Sequence, residues 1–444
     1  NYMGGNGMKK ENSIKIFKTW IFTFIVSLAI LAGMLFASAM IPRSAMYDNL
    51  KSSAEYYSHF DARELKIPTI MQTRQDIFAD SILLNMINCT NSDKPVWSSI
   101  AGIFYSDGDG STFAGKDLLA AVNGAQGRFI YSRYWHGSML IIRLMLLFTD
   151  IHGIFAVNLI VLVGLSILFC LLCYKTGNGR LIPAYIIGFV ISSSFFAYIS
   201  MEYMPVYIIM LIGAIVALYT KNEKQEIILF TLLGMTTAFF DFLTTETITA
   251  LIPLICILVR KNKEERLTFK KGFSVSFELL LIWFLSYALC FAVKWGISAA
   301  MLGEVAIQEI MTWGQDKFEG NSLGGSAIPL PIMAVIYNLI YLLPIRGNVS
   351  LSDIRMAYII ILIVLIVLLF VKKGRKEVYS DMGKLLLCAG LLPIIRYIVL
   401  ANHACVHSYF TYRALIATVM CIALFFTYVF ESSKNNGGYK KRRR

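Results

Sequence analysis

Long apolar runs separated by short polar stretches dominate the chain. Ten of them, near residues 17–40, 151–174, 181–200, 204–220, 226–243, 246–260, 273–293, 354–371, 383–400 and 412–430, reach or approach the ~20 residues that cross a bilayer as a helix. The pattern predicts an all-α integral membrane protein with about ten transmembrane helices. The segment 41–150 is too long for a passive connector and carries its own helical patterns, so a small folded subdomain is expected there. Within it, "TRQDIFADSILLNMI" reads as an amphipathic helix. "WHGSMLIIRLMLLFTD" is apolar but short and carries Arg143, which suits an interfacial or partly inserted helix. "YSDGDGSTFAG" is a turn-rich loop. A second connector, 294–353, holds "IPLPIMAVIYNLIYLLP", flanked by prolines and short for a crossing, and is expected to be re-entrant or interfacial.

Composition agrees with this pattern. Of the 444 residues, 57% are hydrophobic and 16% charged, with a mean hydropathy of +0.63; soluble domains carry roughly 25% charged residues. The net charge of +13 comes from basic clusters between the apolar runs and from the terminal "KKRRR". That is the signature of cytoplasmic loops, with no basic stripe interleaved with aromatics, so nucleic acid is not an expected partner. Most of the 41 Lys and Arg, but a minority of the 28 acids, lie in residues 1–18, in the loops near 175–180, 221–226, 260–271 and 372–384, and in the tail. Both termini are therefore expected in the cytoplasm, which requires an even number of spans. The expected layout is a cytoplasmic N-terminus (1–16), a first span (17–40), an extracytoplasmic loop (41–150) and six spans (151–293). A second outer loop (294–353), three spans (354–431) and a basic cytoplasmic tail (432–444) follow. The leading "NYMGGNG" reads as a tag remnant or extension, and the first apolar run as an uncleaved span rather than a signal peptide. Of eight cysteines, only Cys89 and Cys405 fall in expected outer loops, where free thiols are favoured over a disulfide.

Polar groups at the ends of spans mark function more often than they do in a soluble core, and with this orientation the unusual ones share the outer face. Asp76 and Asp80 stand four apart in "QDIFADSILLN"; two such carboxylates repel, one pKa should rise, and the pair suits a general base or a shared cation. A solvated helix face is the plainer alternative. "YSRYWHG" (131–137) brings together Arg133, Tyr134, Trp135 and His136: aromatics that could stack on a sugar and an Arg that could pair with phosphate, or else an interfacial belt. "FFDFLTTET" (239–247) is a tight outer turn holding Asp241 and Glu246, with Thr244 or Thr245 suited to cap the next helix. Met201-Glu202 and Lys294-Trp295 mark further outer ends. "RYIVLANHACVHSYFTYR" (396–413) supplies Arg396, Asn402, His403, His407 and Arg413. Zinc needs about three protein ligands. With five histidines in the chain and no HExxH, a grip on a polar or anionic ligand fits the flanking arginines better than a metal. No phosphate-binding or dinucleotide glycine loop is present.

Taken in order, "DIFADSILLN", "YSRYWHGSMLIIRLMLLF", "FFDFLTTETITALIPL" and "NHACVHSYFTYRAL" resemble bacterial polytopic glycosyltransferases of the GT-C superfamily, in particular those associated with surface polysaccharides. The resemblance covers most of the chain. It implies a multi-pass protein of the bacterial plasma membrane with a large first outer loop, an extracytoplasmic active site and an acidic base. The implied donor is a sugar on a polyprenyl phosphate, and the implied acceptor a cell-surface glycan or a lipid-linked saccharide. Transferred onto this chain, the base is Asp80 with Asp76 as its partner, Asp48 being the acid nearest the first span. Arg133, Arg396 or Arg413 would neutralise the phosphate, Asn402, His403 and His407 would hold sugar or phosphate oxygens, and Tyr134 and Trp135 would stack. His136, Asp241 and Glu246 complete the expected substrate-binding set. No cofactor is required, although a divalent cation is compatible with the acids. Rival readings are a transporter or flippase of a lipid-linked saccharide, which should show inverted repeats; a membrane-bound acyltransferase using His403 or His407; and a non-catalytic scaffold.

Overall fold

The computed structural model describes residues 3–60, 63–67, 70–108, 113–319, 328–343, 363–364 and 380–440. The eighth expected span, 354–371, falls almost wholly outside them. The described chain is nearly all helical. After α1 (Met3–Ser38) come α2 (Tyr47–Ser58) and a short antiparallel pair, β1 (Arg63–Leu65) and β2 (Arg74–Asp76), in the register Arg63↔Asp76. The 41–150 segment continues with α3 (Ile77–Asn88), α4 (Pro95–Ala101), α5 (Ala114–Val122) and α6 (Ser138–Leu146). The bundle is then built from α7 (Ile151–Lys175), α8 (Leu181–Ile191), α9 (Met204–Ala217), α10 (Glu223–Phe240), α11 (Thr247–Glu264) and α12 (Phe269–Leu302). It closes with α13 (Glu304–Glu319), α14 (Leu330–Ile340), α15 (Asp381–Gly390), α16 (Leu392–Val399), α17 (Ala401–Val406) and α18 (Leu415–Lys440).

Side-chain caps explain many of the starts. Asp150, Asn222, Thr268 and Ser380 each accept a backbone N–H from the first turn of α7, α10, α12 and α15, satisfying donors that a helix end leaves orphaned. Among the described residues five helical stretches are long and apolar enough to cross a membrane: Ile14–Ser38, Ile151–Lys175, Phe269–Leu302, Asp381–Val399 and Ser408–Tyr428. Ile77–Asn88, Leu181–Ile191, Met204–Ala217 and Leu330–Ile340 are apolar but shorter. Large apolar side chains such as Phe22, Ile160, Leu171, Phe277 and Phe284 point outward from α1, α7 and α12, as they do where the surroundings are lipid rather than water.

Three expectations are revised. The run 181–200 is not one helix: α8 stops at Ile191, Ser193 takes a left-handed conformation (φ 51°) and a 3₁₀ stretch follows (Ser194–Ile199). The serine hydroxyls cause the break, since Ser192 and Ser194 bond to each other and Ser194 to Tyr207, and short polar side chains compete for local hydrogen bonds. Lys294 does not end a helix, because α12 continues to Leu302; the lysine is buried and donates to the Ile100 carbonyl at 2.7 Å. The 41–150 segment does not stand apart as a unit of its own. Gln72 donates to the Tyr341 carbonyl, Trp135 to that of Cys290, and Asp76 and Asp80 take bonds from residues 203, 409, 200 and 201.

The core has two apolar clusters. One is built from α7, α8, α9, α11, α15 and α18, around Tyr207, Ile252 and Leu415. The other joins α1, α2, α3, α6, α10 and α12, around Trp135, Phe239 and Leu84. Glycine permits the closest approaches. A Cβ on Gly234 of α10 would lie 2.2 Å from the Trp283 carbonyl of α12, the small-residue contact typical of membrane helices. Buried polar residues gather where the 41–150 segment meets the bundle.

Candidate functional site

α3 is sealed on nearly all sides, so Asp76 and Asp80 do not form a solvated helix face. Asp76 is the N-cap of α3, its Oδ1 accepting from the Ala79 N–H at 3.2 Å, while its Oδ2 accepts from the hydroxyls of Tyr203 and Tyr409, both at 3.0 Å. Asp80, one turn on, is fully buried. Its Oδ1 accepts from the Met201 N–H at 3.0 Å and from Ser200, and its Oδ2 from Tyr57 at 3.0 Å. Burial and the neighbouring Asp76 carboxylate push the Asp80 carboxyl up to about 8, the rise expected for one of two adjacent carboxylates. Asp48 lies exposed in the first turn of α2 and takes no part in these bonds.

Glu202 sits in the turn before α9, 8% exposed. The Ser200 hydroxyl accepts its backbone N–H. Among the described residues nothing donates to its carboxylate. Burial raises its pKa, and the charges of Asp76, Asp241 and Asp80 raise it further. Glu202 thus joins the α3 acids to the turn after α10. There Asp241 accepts from the Thr244 N–H and hydroxyl, so Thr244 serves Asp241 rather than capping α11. The N-cap of α11 is Glu246, without a side-chain bond of its own to the helix.

Beside the acids lies a cationic half. Arg396 of α16 donates from Nε to Glu246 Oε1 at 2.7 Å and from Nη2 to the Leu243 carbonyl at 3.0 Å; its Nη1 is buried without a partner. Nη2 also lies 3.2 Å from His403 Nδ1. A guanidinium only donates, so Nδ1 accepts and the proton of neutral His403 sits on Nε2. Burial, and then Arg396, hold the His403 pKa well below its ordinary value. His403 and His407 pack with ring centroids 4.6 Å apart. Among the described residues no group of three or more His, Cys, Asp or Glu could hold a metal ion. Asn402 donates to the Asp316 carbonyl at 2.9 Å, which ties α17 to α13.

Arg133 donates to Glu309 of α13 at 2.8 Å and lies over the Tyr131 ring, 4.1 Å from its centroid; its Nε is buried without a partner. Lys317, on the same helix, is close enough to both Arg133 and Arg396 that their charges depress its pKa, after burial itself. Three cations therefore converge although each has an acid: Glu309, Glu246 and Asp316. Glu309 and Lys317 carry no motif, yet Glu309, Trp313, Asp316 and Lys317 recur at helical spacing on α13. That polar stripe was the sequence signal for them.

Other expected site residues lie in the core. Trp135 donates to the Cys290 carbonyl at 2.9 Å and stacks on Phe239 at 5.2 Å. Tyr134 is enclosed edge-on by Phe242, Phe291 and Trp313. Neither ring has an exposed face on which a sugar could stack. His136 is buried with φ 54°. Its Nε2 donates to the Tyr131 carbonyl at 2.7 Å, and burial lowers its pKa to about 3, so it shapes the loop as a neutral ring. Arg413 is separated from Arg396: it donates to the Gln72 carbonyl at 3.0 Å and packs over Tyr203 and Tyr412, behind the tyrosines that hold Asp76. Arg143 is buried against α1, donating to Ser38 and Thr90. All eight cysteines are free, Cys89 and Cys405 included.

No protein-family model matches the chain, and neither a curated protein nor a solved structure matches it significantly.

Proposed function

We propose that this chain is a membrane glycosyltransferase of GT-C type, moving a sugar from a polyprenyl-phosphate donor to a cell-surface glycan or a lipid-linked acceptor with inversion. In this reading it lies in the bacterial plasma membrane with about ten spans, both termini cytoplasmic and the site on the outer side. One observation carries the reading: a cationic half (Arg133, Lys317, Arg396) adjoins an acidic half (Asp76, Asp80, Glu202, Asp241), since Arg396, bonded to Glu246, acts on Asp241, and Arg133 and Glu202 act on the same Tyr134 ring. The chemistry needs this pairing. A glycosyl phosphate carries its negative charge on the leaving group, and preorganised cations stabilise the charge that develops there. Arg396 Nη1 and Arg133 Nε are buried donors left for it, since Glu246 takes Nε and Nη2 of Arg396 and Glu309 takes Nη1 of Arg133. Neutral His403, with its proton on Nε2, offers a further donor to an oxygen. The acceptor hydroxyl must lose a proton on the opposite side, where the carboxylates stand.

The test is transfer from a panel of farnesyl-phosphate hexoses and pentoses by the purified chain in detergent. Release of farnesyl phosphate with at least one sugar is expected, and none with nucleotide sugars. Translocation of intact lipid without its cleavage would establish the flippase reading instead.

A further inference from the structure

The four carboxylates of the acidic half, and Glu246 beside them, differ sharply in their hydrogen bonds. Asp76 caps α3 with one oxygen and receives two tyrosine hydroxyls with the other. Both oxygens of Asp80 are held, by Met201, Ser200 and Tyr57. Asp241 is engaged by Thr244, and Glu246 by Arg396. A carboxylate whose lone pairs already accept protein hydrogens is badly placed to take a proton from a substrate. Glu202 differs: its backbone is fixed by Ser200, it is nine-tenths buried, and its carboxylate has no donor among the described residues. The charges of Asp76, Asp241 and Asp80 reach it, and its own charge reaches the phenols Tyr131, Tyr134 and Tyr203.

We infer that Glu202 is the catalytic base that takes the proton from the acceptor hydroxyl, with Asp76 and Asp80 as positioning residues that fix the turn on which it stands. The inference rests on the glycosyltransferase reading. In the step, the acceptor oxygen forms a bond to the anomeric carbon as the bond from that carbon to the phosphate oxygen breaks. The electron pair leaves with polyprenyl phosphate, the acceptor proton passes to Glu202, and Glu202 later returns it to water. Asp80 acts through the backbone: by accepting the Met201 N–H and the Ser200 hydroxyl it holds the residue preceding Glu202 and the hydroxyl that receives the Glu202 N–H. Burial among like charges makes Glu202 a stronger base than a free glutamate.

Azide provides the decisive test, because it attacks carbon without giving up a proton. With the farnesyl-phosphate sugar that the wild type turns over, Glu202→Gln should lose about 10²–10⁴-fold in kcat with a hydroxyl acceptor, the usual worth of a general base. Its KM for donor should be unchanged. With azide as acceptor the same variant should release farnesyl phosphate and glycosyl azide at a rate within a few-fold of wild type. Asp80→Asn, whose defect is one of position, should lose less with the hydroxyl acceptor and gain nothing from azide. Retention of hydroxyl transfer by Glu202→Gln, or a loss that azide does not restore, would overturn the assignment of the base while leaving the transferase reading in place. If the wild type cleaves no donor at all, the transferase reading itself fails.

Discussion

At the residue scale, burial sets the behaviour of the charged groups. Asp80 keeps a proton in the folded protein that the unfolded chain releases in the ordinary carboxyl range. Its contribution to stability is thus fully present at low pH and is lost as the pH rises through about 8. Between roughly pH 4 and 8 this one group makes the unfolding free energy fall by about 1.4 kcal/mol per pH unit at most. Thermal melting in detergent across that window should show the decline in wild type and a flatter profile in Asp80→Asn; equal slopes would contradict the assignment. The Arg396–Glu246 pair makes a separate point. Arg396→Met leaves Glu246 buried and unpaired, and should cost about 3–5 kcal/mol. Arg396→Met combined with Glu246→Leu should recover most of that stability but no donor cleavage, which separates the structural role of the pair from its grip on phosphate.

At the element scale, caps and glycines place the site. Asp76 ends β2 and starts α3, so one side chain sets both the helix and the wall of tyrosines behind it. Asp76→Ala should lower the melting temperature through loss of the cap, worth about 1 kcal/mol, and through the two hydroxyls it strands. Asp76→Asn, an equally good cap, should be milder. The α10–α12 contact is tighter still. Gly234→Ala would force a Cβ to 2.2 Å from the Trp283 carbonyl and should cost about 1–3 kcal/mol as overpacking. Gly164→Ala on α7, which meets nothing within 4 Å, should be neutral or slightly stabilising, as expected from helix propensity alone. Melting curves of the two variants side by side check the contact. The helical elements themselves were legible as apolar runs, since a run of that length satisfies its backbone only as a helix. The break after Ile191 was not, because it depends on serine hydroxyls finding one another and Tyr207, while the residues around them remain apolar.

At the scale of the whole molecule, the 41–150 segment packs against the bundle, and no two of the eight cysteines are bonded to each other. Denatured without reductant, the chain should take up eight maleimide–polyethylene glycol tags, the same number as with reductant. Six tags would reveal a disulfide. The halves of the candidate site come from stretches scattered along most of the chain: α3, the loop before α6, the turns before α9 and α11, and α13 with α16 and α17. Several members were visible as odd polar residues in apolar surroundings. Arg396 and Glu246 are examples, and they prove to be partners. Trp135 and His136 looked equally odd, yet they fill the core, because nothing local distinguishes an aromatic that faces a ligand from one that faces Phe239.

The apolar and polar pattern by itself determined that this is a helical membrane protein whose unusual polar groups collect at the ends of its runs. That follows from backbone hydrogen bonding in lipid and the cost of burying charge, both properties of local composition. Only the tertiary structure decided which carboxylate is free and which arginine nitrogens remain to donate. Hydrogen-bond satisfaction is settled by neighbours distant in the chain: Tyr203 and Tyr409 for Asp76, Ser200 and Met201 for Asp80, and no donor for Glu202 among the described residues.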